Sequence, residues 1–96
     1  MRVISKTRLN EFSLTHPRAA SPLGSWHTLV SKNAFADFNA LKATFGASVD
    51  YVDPLFVFDI GGNKFRLVVA IHFNKQRCYM RHILTHAEYD RGTWKK

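Results

Sequence analysis

Every second residue from 65 to 73 is large and apolar: Phe65, Leu67, Val69, Ile71 and Phe73. Their neighbours are Lys64, Arg66, Val68, Ala70 and His72. A period of two with one apolar and one more polar face predicts a half-buried antiparallel strand. The β-rich run at 55–60 precedes it, and residues 77 to about 85 follow it as a third strand. Gly61-Gly62-Asn63 and Asn74-Lys75-Gln76 are the turns between them.

Parity tests the two hairpins. A two-residue loop at Gly62-Asn63 pairs Ile60 with Phe65, Phe58 with Leu67 and Phe56 with Val69, which puts all six on one face. Asp59 then meets Arg66 on the other face, where a plain cross-strand ion pair is one reading of both residues. In the second hairpin, pairing Phe73 with Cys78 sets Ile71 against Met80, Leu67 against Leu84 and Arg66 against Thr85. His82 takes core parity with Met80 and Leu84. Lys64, Arg66, Thr85, His86 and the segment 88–90 then gather at one end of the sheet. Arg81 lies about 13 Å along the strand from Thr85. A bulge near Thr85 would turn His86. Val68 and Ala70, small and apolar, are left as a floor for a ligand.

Upstream the period changes to that of helices. Val3 and Ile4 fit a short first strand. Ser5 is a candidate cap for a helix to about residue 16, which Pro17 stops. Ser21-Pro22 opens a second helix with Leu23, Trp26, Leu29 and Val30 on its apolar face, ending near residue 32. Asp37 caps a third, with Phe38, Leu41 and Phe45 inward and Gly46 closing it. A brief strand at 49–52 ends at Asp53-Pro54. Helices followed by a meander predict an α+β fold, N-terminal helices on one face of a small, mainly antiparallel sheet. We read residues 1–96 as one domain.

Composition narrows the class. The chain is 46% hydrophobic and 14% aromatic with no biased tract, which argues against disorder. The single cysteine, Cys78, excludes an internal disulfide and reads as a core thiol in a reducing compartment. No apolar run suits a signal peptide or a membrane helix, so a cytoplasmic protein with no membrane partner is expected. The net charge is +7. Residues 61–96 carry eight Lys/Arg against two acids, whereas residues 34–60 carry one base against four. A basic C-terminal third suits a polyanion, nucleic acid above all. A merely soluble basic surface is the plain alternative.

Arg, Lys, His and Tyr with few nearby acids suit a phosphodiester. Cations hold the phosphate and offset the charge of a pentacovalent transition state, while His or Tyr moves protons. RNA brings its own 2′-hydroxyl nucleophile. The candidate catalytic residues are Arg66, Arg81, His86 and Tyr89, and the candidate phosphate contacts are Lys64, Lys75 and Arg77. His82 and His86 have the spacing of a helical zinc pair, but on a strand they lie about 13 Å apart. No metal and no cofactor are expected. His16, His27 and His72 are given no role, and Lys95 and Lys96 read as a frayed tail.

MRVIS at 1–5, LKATFG at 41–46, VFDIGGNKFRLVVAI at 57–71 and above all THAEYD at 85–90 resemble the HigB family of toxins, part of the RelE-like superfamily. FGASVDYV at 45–52 departs from the family's usual proline-containing form. The resemblance implies a RelE-like fold and a metal-independent endoribonuclease that cuts mRNA on the translating ribosome. It implies a HigA-type helix-turn-helix antitoxin, with operator DNA bound only through the complex of the two. On the matching positions, Lys64, Arg66 and Arg81 would hold phosphate. His86 and Tyr89 would transfer protons or stack on a base, and Glu88 and Asp90 would be structural. A basic sheet that blocks translation without cutting RNA is the reading from another class.

Overall fold

The computed structural model describes all residues except Ser5, Asn63, Thr93, Lys95 and Lys96. The cap expected at Ser5, the Asn63 half of the first turn and the tail lysines therefore lie outside the described residues. Five strands form one sheet in the order β1-β5-β4-β3-β2, with β1 (Arg2–Ile4), β2 (Val49–Val52), β3 (Leu55–Ile60), β4 (Phe65–His72) and β5 (Arg77–Thr85). The meander β2 to β5 is antiparallel, and β1 joins parallel to β5. Helices α1 (Lys6–Thr15), α2 (Ala20–Ser31) and α3 (Phe38–Phe45) precede the meander, and α4 (His86–Arg91) follows it. The architecture is α+β, as the pattern of periods predicts.

The apolar side of the sheet meets the first three helices. Leu9, Leu23, Trp26, Val30 and Leu41 pack with Phe56, Phe58, Ile60, Phe65, Leu67 and Val69 in one buried cluster. Each such side chain contributes about 1.5–3 kcal/mol of burial. Asp37 caps α3 by accepting from Ala40 N at 3.0 Å, and Gly46 leaves it at φ 61°. Helix α2 starts earlier than Ser21: a 3-10 turn at Pro17–Ala19 runs straight into Ala20 and no side chain caps it. Leu29 is 43% exposed, not inward. Leu23, Trp26 and Val30 already fill the buried stripe, and Leu29 falls on its flank.

The first hairpin keeps the expected register, with Ile60 beside Phe65, Asp59 beside Arg66 and Phe58 beside Leu67. Gly61 and Gly62 both take positive φ there, 63° and 71°, which side-chain-bearing residues rarely adopt. The second hairpin does not keep it. Its turn is longer than expected, a 3-10 turn at Phe73–Lys75 followed by Gln76 at φ 53°, so Cys78 sits beside Ile71. The Gln76 amide fixes this turn, donating to Phe35 O and Phe73 O and accepting from Phe35 N.

A bulge then falls between Val68 and Val69, and Arg81 is the extra residue. It exchanges the faces of everything after it. Ile83, not Leu84, meets Leu67; Arg66 meets Leu84 instead of Thr85; His82 meets Val68. His82 therefore leaves core parity for the opposite face.

No helix among the described residues is long and apolar enough to cross a membrane.

Candidate active site

The end of the sheet where the first hairpin turns is also where β5 gives way to α4. Helix α4 has six residues, far too few to be stable alone. Thr85-x-x-Glu88 holds it as a capping box. The Thr85 hydroxyl accepts from Glu88 N at 3.2 Å, and the Glu88 carboxylate accepts from Thr85 N at 2.9 Å. The bond from Thr85 N is the largest influence holding the Glu88 carboxyl below its ordinary pKa, and Arg91 and His16 add to it. Gly92 ends the helix at φ 73°. His86 N donates to Lys64 O at 3.0 Å, tying the helix to the hairpin turn. That bond brings together the two segments, GGNKFRL and THAEYD, on which the expected site rests.

Arg66 is the organising charge. It is 7% exposed, on the face of β4 opposite the helix layer. Its Nε lies 3.1 Å from Asp59 Oδ1 on β3, and its Nη1 donates to Phe65 O at 3.1 Å. The ion pair anticipated from register is formed, and it fixes the guanidinium in place. The guanidinium also lies over the Tyr89 ring, 5.4 Å from its centroid, a favourable cation–π distance. Burial pushes the Tyr89 phenol above its ordinary pKa, and Asp50, Asp59 and Asp90 push the same way against the opposing Arg66. The phenol is thus protonated at neutral pH and has a proton to give. His86 is exposed on the first turn of α4, with Nδ1 3.5 Å from Asp90 Oδ2 one turn on. Lys64 is exposed beside it.

The structure thus gathers Lys64, Arg66, His86 and Tyr89. It places the other three candidates elsewhere. Arg81 projects from the bulge, and its carbonyl accepts from Arg8 Nη1 at 3.0 Å. With Arg8, Glu11, Phe12, Thr15 and His82 it lines an open groove of about 410 Å³ between α1 and the free edge of β5. Burial, helped by Arg81 and Arg8, lowers the His82 pKa. Arg77 opens β5, eight residues from Thr85 or about 26 Å along the strand, and Lys75 lies in the turn before it. The basic third therefore divides into a cluster, a groove and a distant turn.

Val68 and its neighbours are not an open floor. Trp94, itself 6% exposed, packs on Val57 and Val68 and covers the middle of the sheet face. Its indole lies nearly parallel to the Tyr89 ring, with centroids 5.1 Å apart, and its Nε1 donates to Tyr89 O at 3.0 Å. No spacing rule links residue 94 to residue 68, so sequence reasoning missed it. His16 was missed as well. Its ring stacks on Phe12 at 4.1 Å and meets the edge of Phe65 at 5.9 Å, which brings the end of α1 near Glu88. The capping box was missed too, although T-x-x-E is its signature. Among the described residues no group of three or more His, Cys, Asp or Glu side chains could hold a metal ion.

Comparison with known proteins bears on the same residues. Residues 19–92 match the HigB_toxin family, described as the RelE-like toxic component of a toxin-antitoxin system. The chain is 33% identical over 92 residues to the mRNA interferase toxin HigB of Escherichia coli, covering 94% of this chain and 88% of that one. It is equally similar to mRNA interferase HigB of Shigella flexneri, over the same shares. With mRNA interferase HigB of a second Escherichia coli strain it shares 30% identity over 95 residues, covering 97% and 92% of the two chains. The matched span contains the hairpin turn, Arg66, the capping box and Tyr89, and the chain belongs to the HigB family of RelE-like toxins, the toxic components of toxin-antitoxin systems.

Proposed function

We propose that the chain is a metal-independent endoribonuclease that cuts mRNA on the translating ribosome in the cytoplasm, and that a HigA-type helix-turn-helix antitoxin neutralises it. The observation that carries this reading is the cluster at one sheet end: a fixed guanidinium, a protonated phenol, an exposed imidazole and an exposed ammonium. Relatives of similar length named mRNA interferases support it.

The chemistry needs only the RNA itself and these side chains. The 2′-hydroxyl oxygen attacks the adjacent phosphorus while the bond to the departing 5′-oxygen breaks, leaving a cyclic phosphate. His86 takes the proton from the 2′-hydroxyl, and its exposed ring reaches an incoming strand without rearrangement. Tyr89 gives a proton to the 5′-oxygen. Exposed Lys64 holds the phosphate, and the charge of Arg66, nearly buried behind the Tyr89 ring, stabilises the added negative charge at phosphorus. Asp59 keeps Arg66 from swinging away, so its stabilisation requires no reorganisation during the reaction. Arg81 serves on the flank, in the groove beside α1, as a contact for the strand leading to the cluster.

Induced expression followed by primer extension on a cellular transcript tests this. New 5′ ends are expected with the wild-type chain and are expected to vanish with Arg66→Ala and with His86→Ala, both folded. Growth arrest without new ends would replace cleavage by blockade. Toxicity that survived replacement of Lys64, Arg66, Arg81, His86 and Tyr89 together would remove the site.

A further inference from the structure

Trp94 is a buried aromatic side chain on the Arg66 face that the proposed chemistry does not use, although it touches the Tyr89 that it does. It covers Val57 and Val68, stacks on Tyr89 with planes 16° apart, and donates its N–H to the Tyr89 carbonyl. Tyr89 sits on a six-residue helix fixed at its start by the capping box, and its ring faces Arg66. The capping box fixes the backbone of α4 but not the torsions of a side chain in its second half. Ring contact with a second, buried aromatic does so. We propose that Trp94 is a positioning residue: it locks the Tyr89 ring, and through that ring the guanidinium of Arg66, in the arrangement that transfers a proton to the leaving oxygen. The proposal rests on the reading of Tyr89 as part of the RNA-cleaving cluster.

Two properties separate this role from simple core filling. The stack is between flat rings, so it needs an aromatic, whereas covering Val57 and Val68 needs only apolar bulk. The effect also passes through one residue, so it disappears when that residue is gone.

The test uses Trp94→Leu and Trp94→Phe, alone and with Tyr89→Ala, measuring kcat and KM for cleavage of ribosome-bound mRNA, with circular dichroism to establish folding. Leu keeps the apolar cover and loses the stack; Phe keeps a ring. The expected result for Trp94→Leu is a fall in kcat of about three- to tenfold, the scale of one aromatic pair, with KM unchanged. Trp94→Phe is expected to restore most of the rate. In the Tyr89→Ala background, Trp94→Leu is expected to cost nothing further. Equal fold losses in both backgrounds overturn the positioning role while leaving the site reading intact. A rate that rises in Trp94→Leu also overturns it, showing that the indole covers the RNA surface instead. If Tyr89→Ala alone cuts at the wild-type rate, Tyr89 leaves the proposed site, and the positioning role falls with it.

Discussion

The pairing of Arg66 with Asp59 makes an asymmetric prediction. The guanidinium is nearly buried, its side chain 9% exposed, whereas the Asp59 side chain is 36% exposed. Removing the carboxylate leaves a charge that water barely reaches, and removing the guanidinium leaves one that water can solvate. A charge-assisted hydrogen bond contributes about 1.5–3 kcal/mol, and the partial exposure of Asp59 points to the lower end, about 1.5 kcal/mol. Asp59→Ala is then expected to lower the melting temperature by about 6–12 °C, at about 4–8 °C per kcal/mol for a domain of this size. Arg66→Met, which keeps the buried stem, is expected to cost less. In the Arg66→Met background, Asp59→Ala is expected to change stability by less than about 0.5 kcal/mol, since its partner charge is gone. Urea denaturation of the four proteins gives the coupling directly. A coupling near zero, or Arg66→Met costing more than Asp59→Ala, would refute the reasoning and reduce the ion pair to coincidence of register.

Four further predictions concern other parts of the molecule. Thr85→Ala removes one side of the capping box and is expected to cost about 1 kcal/mol and to weaken hydrogen-exchange protection in α4 before other elements. The Glu88 carboxyl sits below its ordinary value of 4.5 when folded, so its contribution is present above that value and lost as pH falls through the folded pKa. The stability gap between wild type and Glu88→Gln should therefore stay constant above about pH 5 and shrink on acidification, as thermal melts across pH would reveal. Cys78 is fully buried, and burial pushes its thiol up to about 12; alkylation by iodoacetamide should track unfolding, not pH, near neutrality. Lys75→Ala with Arg77→Ala, at the far end of β5, should leave the cleavage rate within about threefold and lessen its salt sensitivity slightly.

Much of this arrangement was visible in the alternation of residues 65–73. Parity alone placed Asp59 against Arg66 and brought GGNKFRL to THAEYD, because a single slip would have turned Phe65, Leu67 and Val69 to water. The misplacements in β5 come from a turn longer than expected and from the bulge after it. A bulge leaves no mark in a strand whose residues suit either face, and RCYMRHILT offers Met80, His82, Ile83 and Leu84 as plausible inward residues in either phase. Arg81 resolves this in three dimensions: as the extra residue it stays exposed, its carbonyl held by Arg8, while Ile83 reaches the core. Trp94 lay beyond sequence reasoning for a different reason. Its partners, Val57 and Val68, are far away in the chain and carry no pattern that asks for a tryptophan. Helix α4 was not anticipated: Thr85 and Glu88 carry the T-x-x-E signature of a capping box, but six residues show too little periodicity to announce a helix.

The parallel contact of β1 with β5 has a consequence for biosynthesis. Arg2 lies beside Arg77 and Val3 beside Cys78, so a strand made first waits for the strand made last. Until residues 77–85 emerge, the sheet lacks its link to β1, and β4 has an open edge where β5 belongs. Contacts of such long sequence separation form slowly. The residues that follow, from the capping box to Trp94, arrive later still and finish the cluster around Arg66. A growing chain therefore completes its first three helices and its first hairpin before the cluster around Arg66 can exist.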